Sequence, residues 1–286
     1  MGSDDSSSRQ GGRAARYFRH SVERRWNPHT IDLSSDVAAV DELSRREFTR
    51  LRGMVALFGA GEEAVTKDLA PLAIALDDKR DLQFVASHLN DEAIHAAFFE
   101  RYWREVINAS EKSRGLEQSD PTAERWFSPE YEELFARTES AMQRLLEADT
   151  PANRAHAYCH YHVTIEGILG QSGFYCALET FDGGSKDFPT LPGLVEGFSN
   201  IRRDEGRHVG FGVSKLKRLL DEDGVSFESV RTTVHDLSGL VEPIVELMGW
   251  KRGPGPNTAD IVSYAADKRD ERVDQLRSEV VQGIEK

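Results

Sequence analysis

Two short stretches decide the reading of this chain: Asp91-Glu92-Ala93-Ile94-His95 and Asp204-Glu205-Gly206-Arg207-His208. Each sets a glutamate three residues before a histidine. Positions i and i+3 share one face of a helix, so a carboxylate and an imidazole so spaced can meet the same ion. Stepping outward from the first by alternating threes and fours gives Leu82, Val85, Leu89, Glu92, Ala96, Phe99, Trp103 and Val106, an apolar seam broken by one charge. The second gives Leu194, Phe198, Ile201, Glu205, then His208, Val209, Gly212 and Leu216. Two further helices do the same. One reads Leu51, Val55, Phe58, Glu62, Val65, Leu69, Leu72, with Glu63 falling beside Lys67 on the solvated side; the other holds Glu166 inside Val163-Thr164-Ile165-Glu166-Gly167-Ile168-Leu169. Four glutamates are thus aimed into one core.

A buried carboxylate costs several kcal/mol unless it meets a cation or a donor, or takes up a proton. Metal ions meet that need. One Glu from each of two helices plus Glu-x-x-His from each of two others is the ligand pattern of di-iron and di-manganese carboxylate bundles. Oxygen-rich surroundings with one imidazole per metal suit iron or manganese, and no thiolate lies nearby in the sequence. The predicted ligands are therefore Glu62, Glu92, His95, Glu166, Glu205 and His208. Asp91 and Asp204, one residue before each pair, are placed either to accept from a ligand imidazole or to serve at the surface or a helix end. His88, His156, His160 and His162 lack the paired pattern and read as core or surface residues.

The rest of the sequence agrees with an all-α protein. Its 286 residues are 39% hydrophobic and 30% charged, with no apolar run long enough for a membrane helix. The start lacks a signal-peptide core, and two cysteines, Cys159 and Cys176, make no disulfide framework, which points to a reducing cytoplasm. A net charge of −13 opposes nonspecific binding to nucleic acid or anionic membrane, with a local arginine excess between Arg9 and Arg25 as a small exception. Residues 1–12 read as a disordered tail and 13–286 as a single helical domain, with the metal-binding core at about 40–221. Helices are expected near 40–75, 78–112, 122–148, 151–182 and 190–221, with shorter ones near 226–248 and 257–280, and Pro71 kinks the first or ends it early.

The order Glu62, Glu92-x-x-His95, Glu166, Glu205-x-x-His208 resembles the small-subunit superfamily of class I ribonucleotide reductase, and more closely its ligand-binding oxidases, over roughly residues 40–220. The resemblance implies a ferritin-like four-helix bundle with additional helices and a dinuclear metal site in the core. Radical-bearing reductase subunits usually carry a tyrosine four residues after the first histidine ligand and often Asp as first ligand; this chain has Phe99 and Glu62. The oxidases have a valine three residues after the first glutamate and a tyrosine five before the third, joined by an ether cross-link; Val65 and Tyr161 stand there. The tertiary C–H of Val65 is weak enough for an oxidised metal site to remove its hydrogen, with Tyr161 supplying the oxygen. By the same resemblance the cofactor is manganese with iron, with di-iron as alternative. Glu62 and His95 would hold manganese and Glu205 and His208 iron, while Glu92 and Glu166 bridge or complete the pair.

The resemblance further implies a long-chain fatty acid beside the metals, dioxygen as co-substrate, two-electron C–H oxidation and a homodimer. Gly167, Gly170 and Gly173 leave a bare strip that fits either close helix packing or a ligand channel, and Arg202, Arg203 and Arg207 are candidate partners for a fatty carboxylate. Alternatives are the radical-generating reductase subunit and a di-iron acyl desaturase. The former needs a partner-binding tail, and the stretch from Ser278 to Lys286 has no terminal aromatic. Iron storage is the non-enzymatic reading, and a storage subunit is much shorter.

Overall fold

The structure is a computed structural model that describes residues 3–183, 188–251 and 253–277, with side chains from residue 12 onward. The stretch from Ser278 to Lys286 lies outside what is described, as do Met1 and Gly2, whereas residues 3–12, expected as a disordered tail, are wound into the first helix. The chain runs through α1 (Ser3–Glu23), α2 (Ser34–Asp41), α3 (Arg45–Asp68), α4 (Ala70–Ala75), α5 (Lys79–Tyr102), α6 (Asn108–Ser113), α7 (Pro129–Glu147), α8 (Pro151–Tyr158), α9 (Gln171–Phe181), α10 (Pro192–Glu222), α11 (Phe227–Met248) and α12 (Thr258–Leu276). Trp103–Ile107 joins α5 to α6, and Cys159–Gly170 joins α8 to α9, both wound as π-helix. No strand occurs among the described residues, and no described helix is long and apolar enough to cross a membrane.

Local chemistry explains the breaks. Ser44 caps α3 by accepting from the Glu47 N–H, and the Glu47 side chain accepts in return from the Ser44 N–H, so two otherwise orphaned donors are satisfied. Pro71 sits in the first turn of α4, so the helix expected over 40–75 stops at Asp68 and restarts. The helix expected from 122 begins only at Pro129, behind the Ser128 cap. Two helices precede residue 40, where none was placed. One of them, α2, carries the fully buried Asp36, whose carboxylate accepts from the Gly193 and Leu194 N–H groups, each at 2.8 Å, and from the Tyr102 hydroxyl. Asp36 thereby caps α10 from a distance, since Leu191 at its start has no capping side chain.

Four rods make the bundle: α3, α5, the α8–α9 rod and α10. Helix α1 covers α5 and α10, while α11 and α12 pack on each other and on the π-wound stretch. Asp68, at the end of α3, is 7% exposed in a position where the helix dipole disfavours negative charge. Burial first, and Glu139 second, push its carboxyl up to about 6 from 3.8. Because the folded value lies above the unfolded one, this group's contribution is most favourable below about pH 4 and is lost as pH rises through 6. Asp68→Asn should therefore match the wild type at pH 4 and gain about 1–2 kcal/mol at pH 8 after allowing for solvent screening. Denaturant unfolding at the two pH values checks this; an equal effect at both would remove ionisation as the cause.

Candidate metal centre

The four rods bring Glu62 from α3, Glu92 and His95 from α5, Glu166 from the π-wound stretch, and Glu205 and His208 from α10 to one place, each 7% exposed or less. The Nδ1 of His95 lies 3.2 Å from Glu92 Oε2, 3.4 Å from Glu62 Oε2 and 3.5 Å from Glu205 Oε1. The Nδ1 of His208 lies 3.3 Å from Glu92 Oε1, 3.4 Å from Glu205 Oε2 and 3.9 Å from Glu166 Oε1. Glu92 and Glu205 thus reach both imidazoles, one oxygen to each. Of these two imidazoles, Glu166 neighbours only that of His208. The resemblance had Glu92 and Glu166 bridging or completing the pair and Glu205 beside His208; in the structure Glu205 reaches both imidazoles and Glu166 stands beside His208.

These distances fit ions. One ring nitrogen can neither donate to nor accept from three carboxylate oxygens at once, whereas ligands about 2.1 Å from a shared cation stand about 3 Å apart when adjacent. Glu166 Oε2, Glu205 Oε2 and His208 Nδ1 are buried with no hydrogen-bond partner. Burial raises Glu62 to about 8 and pushes Glu166 and Glu205 upward as well. Glu92 is held well below the ordinary range because the imidazoles of His208, His88 and His95 around it outweigh its burial. Two divalent cations would cancel four glutamates and replace those protons.

The outer nitrogens are held across the bundle. His95 Nε2 lies 3.5 Å from Asp204 on α10, and His208 Nε2 lies 3.4 Å from Asp91 on α5, so each aspartate supports the imidazole of the other helix. Arg207, buried, donates to Asp91 at 3.0 Å and Asp204 at 2.9 Å, and its Nε donates to Ser21. Of the three candidate arginines it is therefore committed to the aspartates, and neither it nor Arg202 or Arg203 lines the cavity beside the site. Trp26, which the sequence reading passed over, donates its indole N–H to Asp204 at 2.8 Å and stacks beside His95.

Val65 and Tyr161 also meet. The Tyr161 hydroxyl donates to the Val65 carbonyl at 3.3 Å. Tyr161 and Glu166 are five residues apart, which in an α-helix would turn them about 140° from each other. Wound as π-helix at about 4.4 residues per turn, the same spacing leaves them about 50° apart, on one face. Val65 further lines an apolar cavity walled by Leu57, Phe58, Ile165, Leu169 and Phe174, with Glu62, Glu92, Glu166 and Glu205 at its floor. Of the three glycines, Gly170 lines this cavity; at Gly173 an added Cβ would come within 2.4 Å of the Phe58 ring, so that one serves close packing. His88, read as a core or surface residue, lies against the site; His162 is fully buried near it, while His156 and His160 are not among the clustered residues.

A four-rod bundle with paired Glu-x-x-His helices and two further buried glutamates defines a ferritin-like protein of the dinuclear carboxylate class. The chain belongs to the ribonucleotide reductase small chain family, whose model matches residues 12–278, and it is an oxidoreductase with a dinuclear metal site. An R2-like ligand-binding oxidase with aerobically reconstituted Mn/Fe cofactor is 26% identical, with 92% of each chain covered and a TM-score of 0.80. A single-residue valine variant of such an oxidase, also with Mn/Fe, is 27% identical over 92% of this chain and 94% of that one, at a TM-score of 0.81. A glycine variant holding a non-activated Mn/Mn cofactor is 27% identical, with 92% and 93% covered, at 0.80.

Proposed function

We propose that this protein is a manganese–iron oxidase that reduces dioxygen, joins Val65 to Tyr161 by an ether bond and binds a long-chain fatty acid or similar apolar ligand. The observation that carries the reading is the convergence of Glu62, Glu92, His95, Glu166, Glu205 and His208 at the floor of an apolar cavity, with Val65 in its wall. Glu62 and His95 would hold one ion, Glu166 and His208 the other, with Glu92 and Glu205 between them. When bound and reduced, the two ions supply the site and two of the electrons for dioxygen reduction.

The chain's own residues do the rest. Val65 Cβ loses its hydrogen and Tyr161 Oη its proton as the C–O bond forms, and the two electrons so released pass to dioxygen with the protons. The hydrogen bond to the Val65 carbonyl keeps the phenol oxygen beside the residue it attacks. Leu57, Phe58, Ile165, Leu169 and Phe174 exclude water and offer a dry wall to a hydrocarbon chain.

The test is protein loaded aerobically with manganese and iron(II), digested and examined by mass spectrometry. The expected species joins the Val65 and Tyr161 peptides at two hydrogens less than their sum, and its absence with both metals bound would remove the cross-link. One observation favours a second reading. The line Trp26, Asp204, His95 is a hydrogen-bonded route for electrons to the site, as a radical-generating subunit would need. Phe99, packed among Phe58 and Phe198, offers no hydroxyl to hold the radical. In the oxidase the same route serves reduction of the metals.

A further inference from the structure

We propose that His88 is a seventh metal ligand, giving the second ion two imidazoles; this rests on the dinuclear reading above. His88 stands one helical turn before Glu92 on α5 and is fully buried. Its Nε2 lies 2.7 Å from Glu92 Oε1 and 2.8 Å from Glu166 Oε1. A neutral imidazole has at most one hydrogen on that nitrogen and can donate it well to only one of the two. A cation shared by the three atoms satisfies all of them, since adjacent ligands at about 2.1 Å from an ion are about 3 Å apart. The His88 ring stacks on that of His208 at 3.5 Å between centroids, so the two imidazoles approach the same carboxylate oxygens side by side. Ligand atoms of His88, Glu92, Glu166 and His208 all lie within 4.8 Å of one another, as do those of Glu62, Glu92, His95 and Glu205.

The two positions are then unequal in kind. The first has one imidazole, that of His95, among its carboxylates; the second has two, those of His88 and His208. Imidazole suits iron, carboxylate suits manganese, and affinity for a given nitrogen site rises from Mn²⁺ to Fe²⁺. His88 therefore biases the second position toward iron and leaves the first to manganese.

The test uses the full chain under anaerobic conditions, titrated with iron(II) alone and with manganese(II) alone, for wild type, His88→Phe, His88→Gln and His95→Ala. Crystals of the iron(II)-loaded wild type give the ion's distance to His88 Nε2. The expected result is an ion within about 2.3 Å of that atom, together with a loss of at least about tenfold in second-site iron affinity in both His88 variants and a smaller change for manganese. His88→Gln and the wild-type crystals answer the question even if His88→Phe does not fold. Two tightly bound ions in the wild type with His88 Nε2 more than about 3 Å from either, and unchanged iron affinity in the variants, would overturn the proposal while leaving the dinuclear site intact. Wild type that binds no ion, or a His95→Ala variant that binds as wild type does, would overturn both.

Discussion

Replacing Glu92 with glutamine is expected to empty both metal positions, because its carboxylate is shared between them. One of its oxygens faces His95 and the other His208, at 3.2 and 3.3 Å. The amide keeps the shape and offers one weak oxygen where there were two charged ones, so neither ion keeps its full set. Glu166→Gln, by contrast, touches only the His208 side. Metal analysis after anaerobic loading should find two ions per chain in the wild type, fewer than one in Glu92→Gln and about one in Glu166→Gln. Dioxygen consumption should fall at least about 100-fold in Glu92→Gln, since even outer partners of metal ligands are worth 10–100-fold. Two ions retained in Glu92→Gln would contradict its shared position.

The second large effect is expected at a residue that touches no metal. Arg207→Met leaves Asp91 and Asp204 buried without the cation between them. Breaking a buried ion pair from one side costs 3–5 kcal/mol, and the remaining donors to the aspartates, Trp26 and His208 among them, place this case near the low end at about 3 kcal/mol. For a chain of this size that lowers Tm by on the order of 10 °C. Both aspartates also orient the ligand imidazoles, so metal affinity should drop about 10–100-fold even at temperatures where the variant stays folded. Thermal melts of metal-free protein separate the first effect from the second. Equal Tm values would mean that the aspartates are neutralised by other means.

The sequence made much of this site readable because a charge in an apolar seam is a strong anomaly: Glu62, Glu92, Glu166 and Glu205 each stood where a leucine would be expected. The helix ends near Pro71, Thr150-Pro151 and Asp223-Gly224 were readable for the chemistry of proline, capping hydroxyls and glycine. His88 was missed although His88-x-x-x-Glu92-x-x-His95 places all three on one face of α5, because only the three-residue spacing was weighed. Arg207 was read by its charge as a partner for a ligand, whereas its two aspartates decide its place, and those contacts cross helices. The spacing of Tyr161 and Glu166 gave no hint of a shared face, since the periodicity used to find helices assumes 3.6 residues per turn.

That unusual winding also bears on how the α8–α9 rod of the bundle is used. Twelve residues from Cys159 to Gly170 turn through roughly half a revolution less than an α-helix of the same length. The rod is unbroken, yet its two ends are out of phase. At one end α8 meets α7 and α10; at the other α9 meets α10 and α12. A straight α-helix with one apolar stripe would have to spiral that stripe or insert a loop to serve both sets of neighbours. Here the slip in phase is taken up at the level of Glu166, so the element that changes partners is also the one that carries a carboxylate into the core.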